Sequence, residues 1–191
     1  MRSLAPLLAL ALTAAAPPTL QTAIFAGGCF WTMQHGLDEV PGVVKTVAGF
    51  TGGTLANPSY EQVSSETTGH VEAVRVTFDP ARISYADLTR RYFRMIDPTD
   101  SGGQACDRGP SYRATIFTAT PEQRQAALAI EGEAARQLGR KIVVPVRNAS
   151  AFWPAEGYHQ HYADKNRLAY GAYRIGCGRD RILATLWGKA R

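Results

Sequence analysis

The sequence predicts an α/β (α+β) domain, a ferredoxin-like two-layer sandwich with a mixed, mainly antiparallel sheet and an irregular C-terminal region. The first observation behind this prediction is the order of elements, which runs β-α-β, then β-α-β, then an added α-β. The second is a length of 191 residues, enough for one domain and little more. The third is composition: 45% hydrophobic and 19% charged residues allow a sizeable core and exclude a disordered tail.

The first β-α-β unit is predicted within residues 22–50. A short buried strand at 22–26 leads into a tight turn at Gly27 and Gly28. A helix follows at 30–40 and ends at Pro41, which cannot continue a helix. The second strand is predicted at 43–50.

The second unit begins with a strand of alternating character at 71–78. Ser84, with Asp87 three residues later, is a variant of the capping box, and it predicts the start of a helix that runs to about residue 95. Residues 97–110 are polar and glycine-rich, which indicates a loop. A strand at 112–117 completes the unit.

The added α-β pair opens with Thr120, Pro121 and Gln123, which combine an N-cap, a first-turn proline and a capping partner. That helix is predicted to run to Leu138 and to stop at Gly139. A last strand is predicted at 142–146. The chain beyond it is aromatic, charged and irregular, except that apolar residues in the tail 178–191 indicate a short docked helix.

Residues 1–16 have the layout of a secretory signal peptide. A short basic start precedes an almost unbroken apolar run that ends in small residues. The run is too short to span a bilayer. The sequence allows cleavage either after Ala15 or after Ala16 and does not decide between them. We therefore expect export, with a periplasmic location, and a single mature domain over 22–191.

The charge balance argues against a nucleic-acid partner. Lys and Arg number 21 and Asp and Glu 16, which gives a formal net charge of +5. The basic residues are scattered, whereas a nucleic-acid surface needs them clustered. Nothing in the sequence indicates an obligate assembly, so we expect a monomer.

Three cysteines, Cys29, Cys106 and Cys177, form an odd set. There is no CxxC, and neither the cysteine nor the histidine spacings match a zinc site, so no metal is expected. Three cysteines can form at most one disulfide, which leaves one free thiol. From spacing alone, a structural bridge with one buried cysteine is as good an interpretation as a redox pair.

Cys29 stands where a strand ends and a helix begins. The unpaired N–H groups and the positive end of the helix dipole at that position predict a stabilised thiolate. Phe30 and Trp31, which follow it, are either core residues or the walls of an apolar pocket beside the sulfur.

The chain resembles the A-type peptide-methionine sulfoxide reductases along nearly all of its mature length. The motifs that carry the resemblance, in order, are 27–31 (GGCFW), 41–43 (PGV), 49–53 (GFTGG), 57–60 (NPSY), 69–74 (GHVEAV), 97–99 (DPT), 107–113 (DRGPSYR) and 158–162 (YHQHY). One departure is Phe50, where the family often has tyrosine.

The resemblance implies reduction of the S epimer of methionine sulfoxide, free or in proteins. Cys29 would attack the sulfoxide sulfur, and Glu72 would supply the proton that the oxygen needs. Tyr60 and Tyr112 would hydrogen-bond that oxygen, and Asp107 would help to orient the site. Phe30 and Trp31 would hold the substrate methyl group.

The resemblance also implies how the enzyme is regenerated. Attack leaves Cys29 as a sulfenic acid, which a resolving cysteine converts to a disulfide. Cys177 is similar in position to the family's C-terminal resolving cysteine. Cys106 is either a spare thiol or an alternative resolving cysteine, and we expect a spare thiol because the glycines beside Cys177 give it the more flexible setting. A thioredoxin-like dithiol protein would reduce the Cys29–Cys177 disulfide, and no bound cofactor is required.

Two other classes of protein stay open on the residues alone. A cysteine-nucleophile acyl transferase or hydrolase would pair Cys29 with a histidine such as His159 or His161 and would need no resolving thiol. An exported, non-catalytic binding domain with one disulfide would leave Cys29 inert to alkylating reagents.

Overall fold

The computed structural model describes residues 19–188. The strands are β1 (Gln21–Ala26), β2 (Val43–Thr51), β3 (Val71–Phe78), β4 (Gly103–Gln104), β5 (Asp107–Arg108), β6 (Thr115–Thr118), β7 (Val146–Asn148) and β8 (Phe152–Pro154). The helices are α1 (Phe30–Asp38), α2 (Tyr60–Ser64), α3 (Tyr85–Arg94), α4 (Pro121–Leu138), α5 (Tyr162–Lys165), α6 (Arg167–Cys177) and α7 (Arg179–Trp187), with a 3-10 helix at Pro110–Tyr112. The predicted signal peptide at 1–16 lies outside the described residues.

Six strands form one mixed sheet in the order β7-β6-β1-β3-β2-β8. Neighbouring strands are antiparallel except β6 and β7, which run parallel. The predicted α/β class and the mixed, mainly antiparallel sheet are thus confirmed. Strands β4 and β5 form a separate two-stranded hairpin inside the predicted 97–110 loop.

The main core lies between the sheet and helices α1, α3 and α4. Its largest buried members are aromatic, and they include Phe25, Phe78 and Tyr92. The helix caps predicted from the sequence are confirmed. The Ser84 side chain accepts from the backbone N–H of Asp87, and the Thr120 side chain accepts from that of Gln123. Gly139 ends α4 in the left-handed conformation, as a helix-stopping glycine does.

Two predicted strands are displaced. The last strand lies at Val146–Asn148 and not at 142–146, because the Val143 N–H bonds to the Pro98 carbonyl and Pro145 has no N–H to give to a ladder. The strand predicted at 112–117 begins only at Thr115, because Tyr112 belongs to the 3-10 helix.

The region after residue 148 is more regular than predicted. It contains β8 and three helices, of which α7 is the docked tail helix that the sequence indicated. Its Trp187 indole N–H donates to the Ile96 carbonyl at 3.0 Å. Gly178, in the left-handed conformation, turns the chain between α6 and α7. Among the described residues, no helix is both long and apolar enough to cross a membrane.

Candidate active site

Cys29 sits between the end of β1 and the first residue of α1, as predicted. Its carbonyl accepts from the Met33 N–H at 3.2 Å and so begins the helix, while its side chain is 6% exposed. Gly28 makes the turn with φ of +80°, and a Cβ there would lie 2.6 Å from the Gln104 Cβ. A residue without a side chain is therefore required directly before the cysteine.

We expect Gly28→Ala to destabilise the protein by roughly 2 kcal/mol or more, because it adds positive-φ strain to a steric clash. Gly171→Ala, in α6 with nothing within 4 Å of the added Cβ, is the matched control and is expected to be neutral or stabilising. Urea unfolding measures both. Equal free energies of unfolding for the two variants would contradict the steric account of Gly28.

Glu72 lies on β3, opposite Phe50 of β2, and is 3% exposed. Its Oε2 accepts from the backbone N–H of Phe30 at 2.9 Å, so the carboxyl group stands at the head of α1 beside Cys29. Burial raises the pKa of Glu72 to about 8, and the nearby carboxyl of Asp107 adds to the increase. Glu72 therefore holds a proton over most of the neutral range.

The sequence prediction of a stabilised Cys29 thiolate is wrong for this conformation. Burial raises the pKa of the Cys29 thiol to about 12, and charges on Glu72 and Asp107 raise it further. A hydrogen bond with the Tyr173 hydroxyl acts in the opposite direction. Desolvation outweighs the hydrogen bonds from Tyr173 and from the backbone N–H of Trp31, which favour the thiolate.

Asp107 and Tyr173 connect Cys29 to the other two cysteines. The Tyr173 hydroxyl donates to Asp107 Oδ2 at 2.6 Å, and Tyr173 also reaches Cys29. Burial raises the pKa of Asp107, while the hydrogen bond from Tyr173, the charge of Arg179 and the hydrogen bond from the backbone of Cys29 partly offset the increase. The Asp107 carboxylate thus lies between Cys29 and the other two cysteines.

Cys106 and Cys177 form a disulfide, and Cys29 is the free cysteine. The expectation that Cys106 is a spare thiol is therefore corrected. The β4–β5 hairpin brings Cys106 against the end of α6, where the Cys106 N–H points at Cys177 Sγ at 3.1 Å. The Asp107 carboxylate oxygens lie 3.8 and 4.0 Å from the two sulfurs. Because the two sulfurs are bonded to each other, neither is available as a thiolate ligand for a metal ion.

The aromatic residues after Cys29 have different environments. The Phe30 ring is 1% exposed and packs on Phe50 in the core. The Trp31 ring is half-buried, stacks on Tyr162 at 3.8 Å and donates its indole N–H to His159 Nδ1 at 3.0 Å. Trp31 is thus the one of the two that offers a partly open surface beside the cysteine.

Tyr112 lies near both Glu72 and Tyr60. Both tyrosines are half-buried, and burial, together with charge on Glu72 and on Cys29, raises the pKa of Tyr112. The Tyr60 N–H donates to Glu156 Oε1 at 2.9 Å, and its ring lies 4.5 Å from that of His159. The Tyr112 hydroxyl therefore stays protonated and able to donate.

The chain is similar to one known protein family along nearly all of its described length. The sequence model described as peptide methionine sulfoxide reductase matches residues 21–191. The chain belongs to the peptide methionine sulfoxide reductase family. A curated relative, peptide methionine sulfoxide reductase MsrA 2 of Caulobacter vibrioides, is 53% identical over 176 residues, which cover 92% of this chain and 89% of the relative.

Solved structures of the family have the same fold. Methionine sulfoxide reductase A of Corynebacterium diphtheriae is 33% identical, with a TM-score of 0.74 over 80% of this chain and 77% of that one. Mxr1 of Saccharomyces cerevisiae in reduced form is 29% identical, with a TM-score of 0.74 over 78% and 86%. The same yeast protein in complex with Trx2 aligns at 20% identity and a TM-score of 0.55, which speaks for the fold alone.

In this family member the structure brings together all eight sequence-predicted site residues, although Phe30 faces the core. Tyr173 was missed, and no motif contains it. The signal that points to it is helical spacing, because Tyr173 precedes Cys177 by one turn of α6. Arg179 was also missed, since a charged residue in a tail is expected to lie in solvent.

Proposed function

We propose that this chain reduces the S epimer of methionine sulfoxide, free or in proteins, to methionine, with Cys29 as nucleophile and Glu72 as proton donor. The family to which it belongs is defined by methionine sulfoxide reduction. The observation that carries the assignment of roles is the contact of Glu72 with the Phe30 N–H. It places a carboxyl that keeps its proton at neutral pH beside the only free thiol of the described chain.

The first step transfers oxygen. As Cys29 Sγ bonds to the sulfoxide, the proton of Glu72 moves to the sulfoxide oxygen, and Glu72 takes up the proton of the thiol. The hydroxyl then passes from the substrate sulfur to Sγ: the Sγ–oxygen bond forms as the sulfur–oxygen bond of the substrate and the transient sulfur–sulfur bond break. One thiol and one sulfoxide thus become one sulfenic acid and one thioether, so sulfur on Cys29 is oxidised and sulfur of the substrate is reduced.

Tyr60 and Tyr112 bind the substrate oxygen in this proposal. The raised pKa of Tyr112 keeps the proton on its hydroxyl, and hydrogen-bond donors aimed at an oxygen that gains charge stabilise the transition state. Trp31 contacts the substrate methyl group, since its half-buried ring is held in place by Tyr162 and His159. Phe30 packs from the core on the His159 ring, 4.9 Å between centroids.

Regeneration uses both remaining cysteines. Cys177 condenses with the sulfenic acid, which releases water and forms a Cys29–Cys177 disulfide. The Cys106 thiolate then attacks Cys177, which frees Cys29 and leaves the Cys106–Cys177 disulfide. The pairing present in the structure is the product of that last exchange, with Cys29 ready for another sulfoxide.

A thioredoxin-type dithiol protein closes the cycle by donating two electrons and two protons to the Cys106–Cys177 disulfide. Cys106 is exposed, so a protein partner can reach its sulfur, whereas Cys29 is buried. The yeast relative has been solved in complex with Trx2, which supports this kind of reductant. No step requires a bound cofactor.

We expect Cys106→Ser to separate the two halves of the cycle. Dithiothreitol, a small reagent, should still sustain turnover, while turnover with a thioredoxin-type reductant should fall by at least about tenfold, because a buried disulfide resists a protein partner. Peptide mapping without reduction should then find the Cys29–Cys177 disulfide. Unchanged turnover with the protein reductant would contradict a relay through Cys106.

The function itself is tested with separate S and R epimers of a methionine sulfoxide peptide in the presence of dithiothreitol. Only the S epimer is expected to disappear. If a folded protein with an alkylatable Cys29 reduces neither epimer, the proposal fails and the acyl-transfer alternative takes its place.

The structure offers little to the acyl-transfer alternative. Within residues 19–188 no histidine hydrogen-bonds Cys29: His159 accepts from Trp31, and His161 contacts Asp38. Burial lowers the pKa of His159, which disfavours the imidazolium that such a mechanism would form.

Three further features of the protein are proposals. We propose export to the periplasm, supported by the apolar run and small residues of 1–16, and a monomeric mature domain over 22–191. We also propose a ferredoxin-like relationship for the four central strands, since the order β6-β1-β3-β2 with antiparallel neighbours follows that arrangement.

A further inference from the structure

Arg179 is a buried cation next to the loop that carries Cys29. It is the first residue of α7, lies two positions after Cys177, and is 3% exposed. Its Nη2 donates to the carbonyls of Gly27 and Met95, both at 2.7 Å, and lies 3.3 Å from Met33 Sδ. Its Nε donates to the same Met95 carbonyl at 3.2 Å.

None of these hydrogen-bond partners is a counter-ion for Arg179, and the Asp107 carboxyl acts on its charge from beyond ion-pair distance. All of them are uncharged, and within the described part of the chain no carboxylate forms an ion pair with this guanidinium. Its Nη1 is buried and has no hydrogen-bond partner. A buried guanidinium does not lose its proton readily, so its burial is costly unless negative charge appears nearby.

The unpartnered nitrogen lies against the residue before the nucleophile. A Cβ placed on Gly28 would be 2.9 Å from Arg179 Nη1. The groups that could carry negative charge around the guanidinium are Cys29, Asp107, Tyr173 and Tyr170, and Tyr92 also lies near it. Of these, Cys29 is the one that must become an anion during sulfoxide reduction.

We propose that Arg179 is a positioning residue that supplies the buried positive charge needed when Cys29 becomes a thiolate. Through the Gly27 carbonyl it also ties the α6–α7 junction, which follows Cys177, to the Cys29 loop. The inference rests on the proposed role of Cys29 as nucleophile.

The charge balance around Cys29 shows why a cation is needed there. Glu72 from β3, Asp107 from β5, Tyr112 from the 3-10 helix and Tyr173 from α6 face the sulfur, and none of them is cationic. Burial and the two carboxyl groups all oppose ionisation of the thiol. Arg179 acts in the opposite direction because an opposite charge in a desolvated site favours the thiolate.

The test uses the oxidised protein, in which the Cys106–Cys177 disulfide leaves Cys29 as the thiol that iodoacetamide can label. The rate of Cys29 alkylation is measured by mass spectrometry against pH for wild type, Arg179→Gln and Arg179→Lys. Gln and Lys both keep a polar nitrogen, and only Lys keeps a charge. Thermal unfolding establishes that each variant is folded.

The Gln profile is expected to shift toward higher pH by about one unit, which is a tenfold slower reaction at a fixed pH below the midpoint. The Lys profile is expected to stay within about half a unit of wild type, since the charge remains. In a single turnover of the S-sulfoxide, Gln should lower the maximal rate by about tenfold while KM changes by less than about threefold.

Equal shifts for Gln and Lys, or no shift for either, would overturn the proposal, and so would a slower reaction at every pH without displacement of the profile. If Gln does not fold, Arg179→Met replaces it. If neither neutral variant folds, the alkylation profile of Arg179→Lys is the test. A folded Lys variant whose profile is displaced by a full pH unit contradicts a role for charge. Alkylation needs no sulfoxide, so it remains informative even if the wild type fails to reduce either epimer.

Discussion

Replacing Cys29 by serine is expected to lower S-sulfoxide reduction by at least about 1,000-fold, because a hydroxyl cannot accept the oxygen as a sulfenic acid. The loss should appear in a single turnover as well as in steady state, with either reductant. The fold should be unchanged, since serine is slightly smaller than cysteine and Cys29 is not part of the disulfide.

Cys177→Ser is the control for Cys29→Ser. It is expected to keep the single turnover and to accumulate sulfenic acid on Cys29, which a dimedone label detects. It should turn over with dithiothreitol and fail with a thioredoxin-type reductant. A Cys29→Ser protein that still reduces the S epimer would remove Cys29 from the mechanism and with it the proposed function.

Glu72→Gln is expected to lower the maximal single-turnover rate by about 100- to 10,000-fold, the range for loss of a general acid. Glutamine has the same shape, and its carbonyl oxygen still accepts from the Phe30 N–H, so the start of α1 is kept. The wild-type rate should fall as pH rises through about 8, where Glu72 loses its proton. The residual activity of the variant should lack that decline.

The raised pKa of Glu72 also predicts how stability depends on pH. In the unfolded chain a glutamate has a pKa of about 4.3, whereas in the folded chain burial raises it to about 8. The folded state therefore binds the proton more tightly, and this contribution to stability is complete below the unfolded value and is lost as pH rises through the folded value. Urea unfolding at pH 5 and pH 9 should show wild type losing more stability than Glu72→Gln.

Glu131→Gln is the matched control for Glu72→Gln. Burial raises the pKa of Glu131 as well, but it lies on α4 and makes none of the contacts of the site. Its rate and its pH profile should equal those of wild type. If Glu72→Gln also keeps the wild-type rate, Glu72 is not the proton donor.

Elements whose signals are local were predicted well. The alternating run at 71–78 coincides with β3, and the capped helix after Thr120 coincides with α4. The strand at 142–146 was misplaced because the Val143 N–H finds its partner at Pro98, far away in the chain. Helix α2 escaped prediction, although its Ser59 and Gln62 form a capping box.

The residues of the candidate site also divide into those that local sequence signals predict and those that they do not. The turn at Gly28 and the placement of Cys29 before α1 follow from a few adjacent residues, so the sequence by itself determined them. Motif resemblance supplied Glu72, Tyr60, Tyr112 and Asp107. The role of Arg179 has no local signal and that of Tyr173 only its spacing of one helical turn from Cys177, since each role depends on how the C-terminal helices pack.

The sequence by itself determined a strand–glycine–cysteine–helix nucleophile, the capped helices and the class of chemistry. Only the tertiary structure decided that Cys106 bonds to Cys177, that burial raises the pKa of the Cys29 thiol, and that Arg179 lies beneath the cysteine loop. The physical reason is the separation along the chain between the residues that interact. Caps and turns are made by neighbours in the chain, whereas disulfide pairing and desolvation depend on residues that meet only when distant segments pack together.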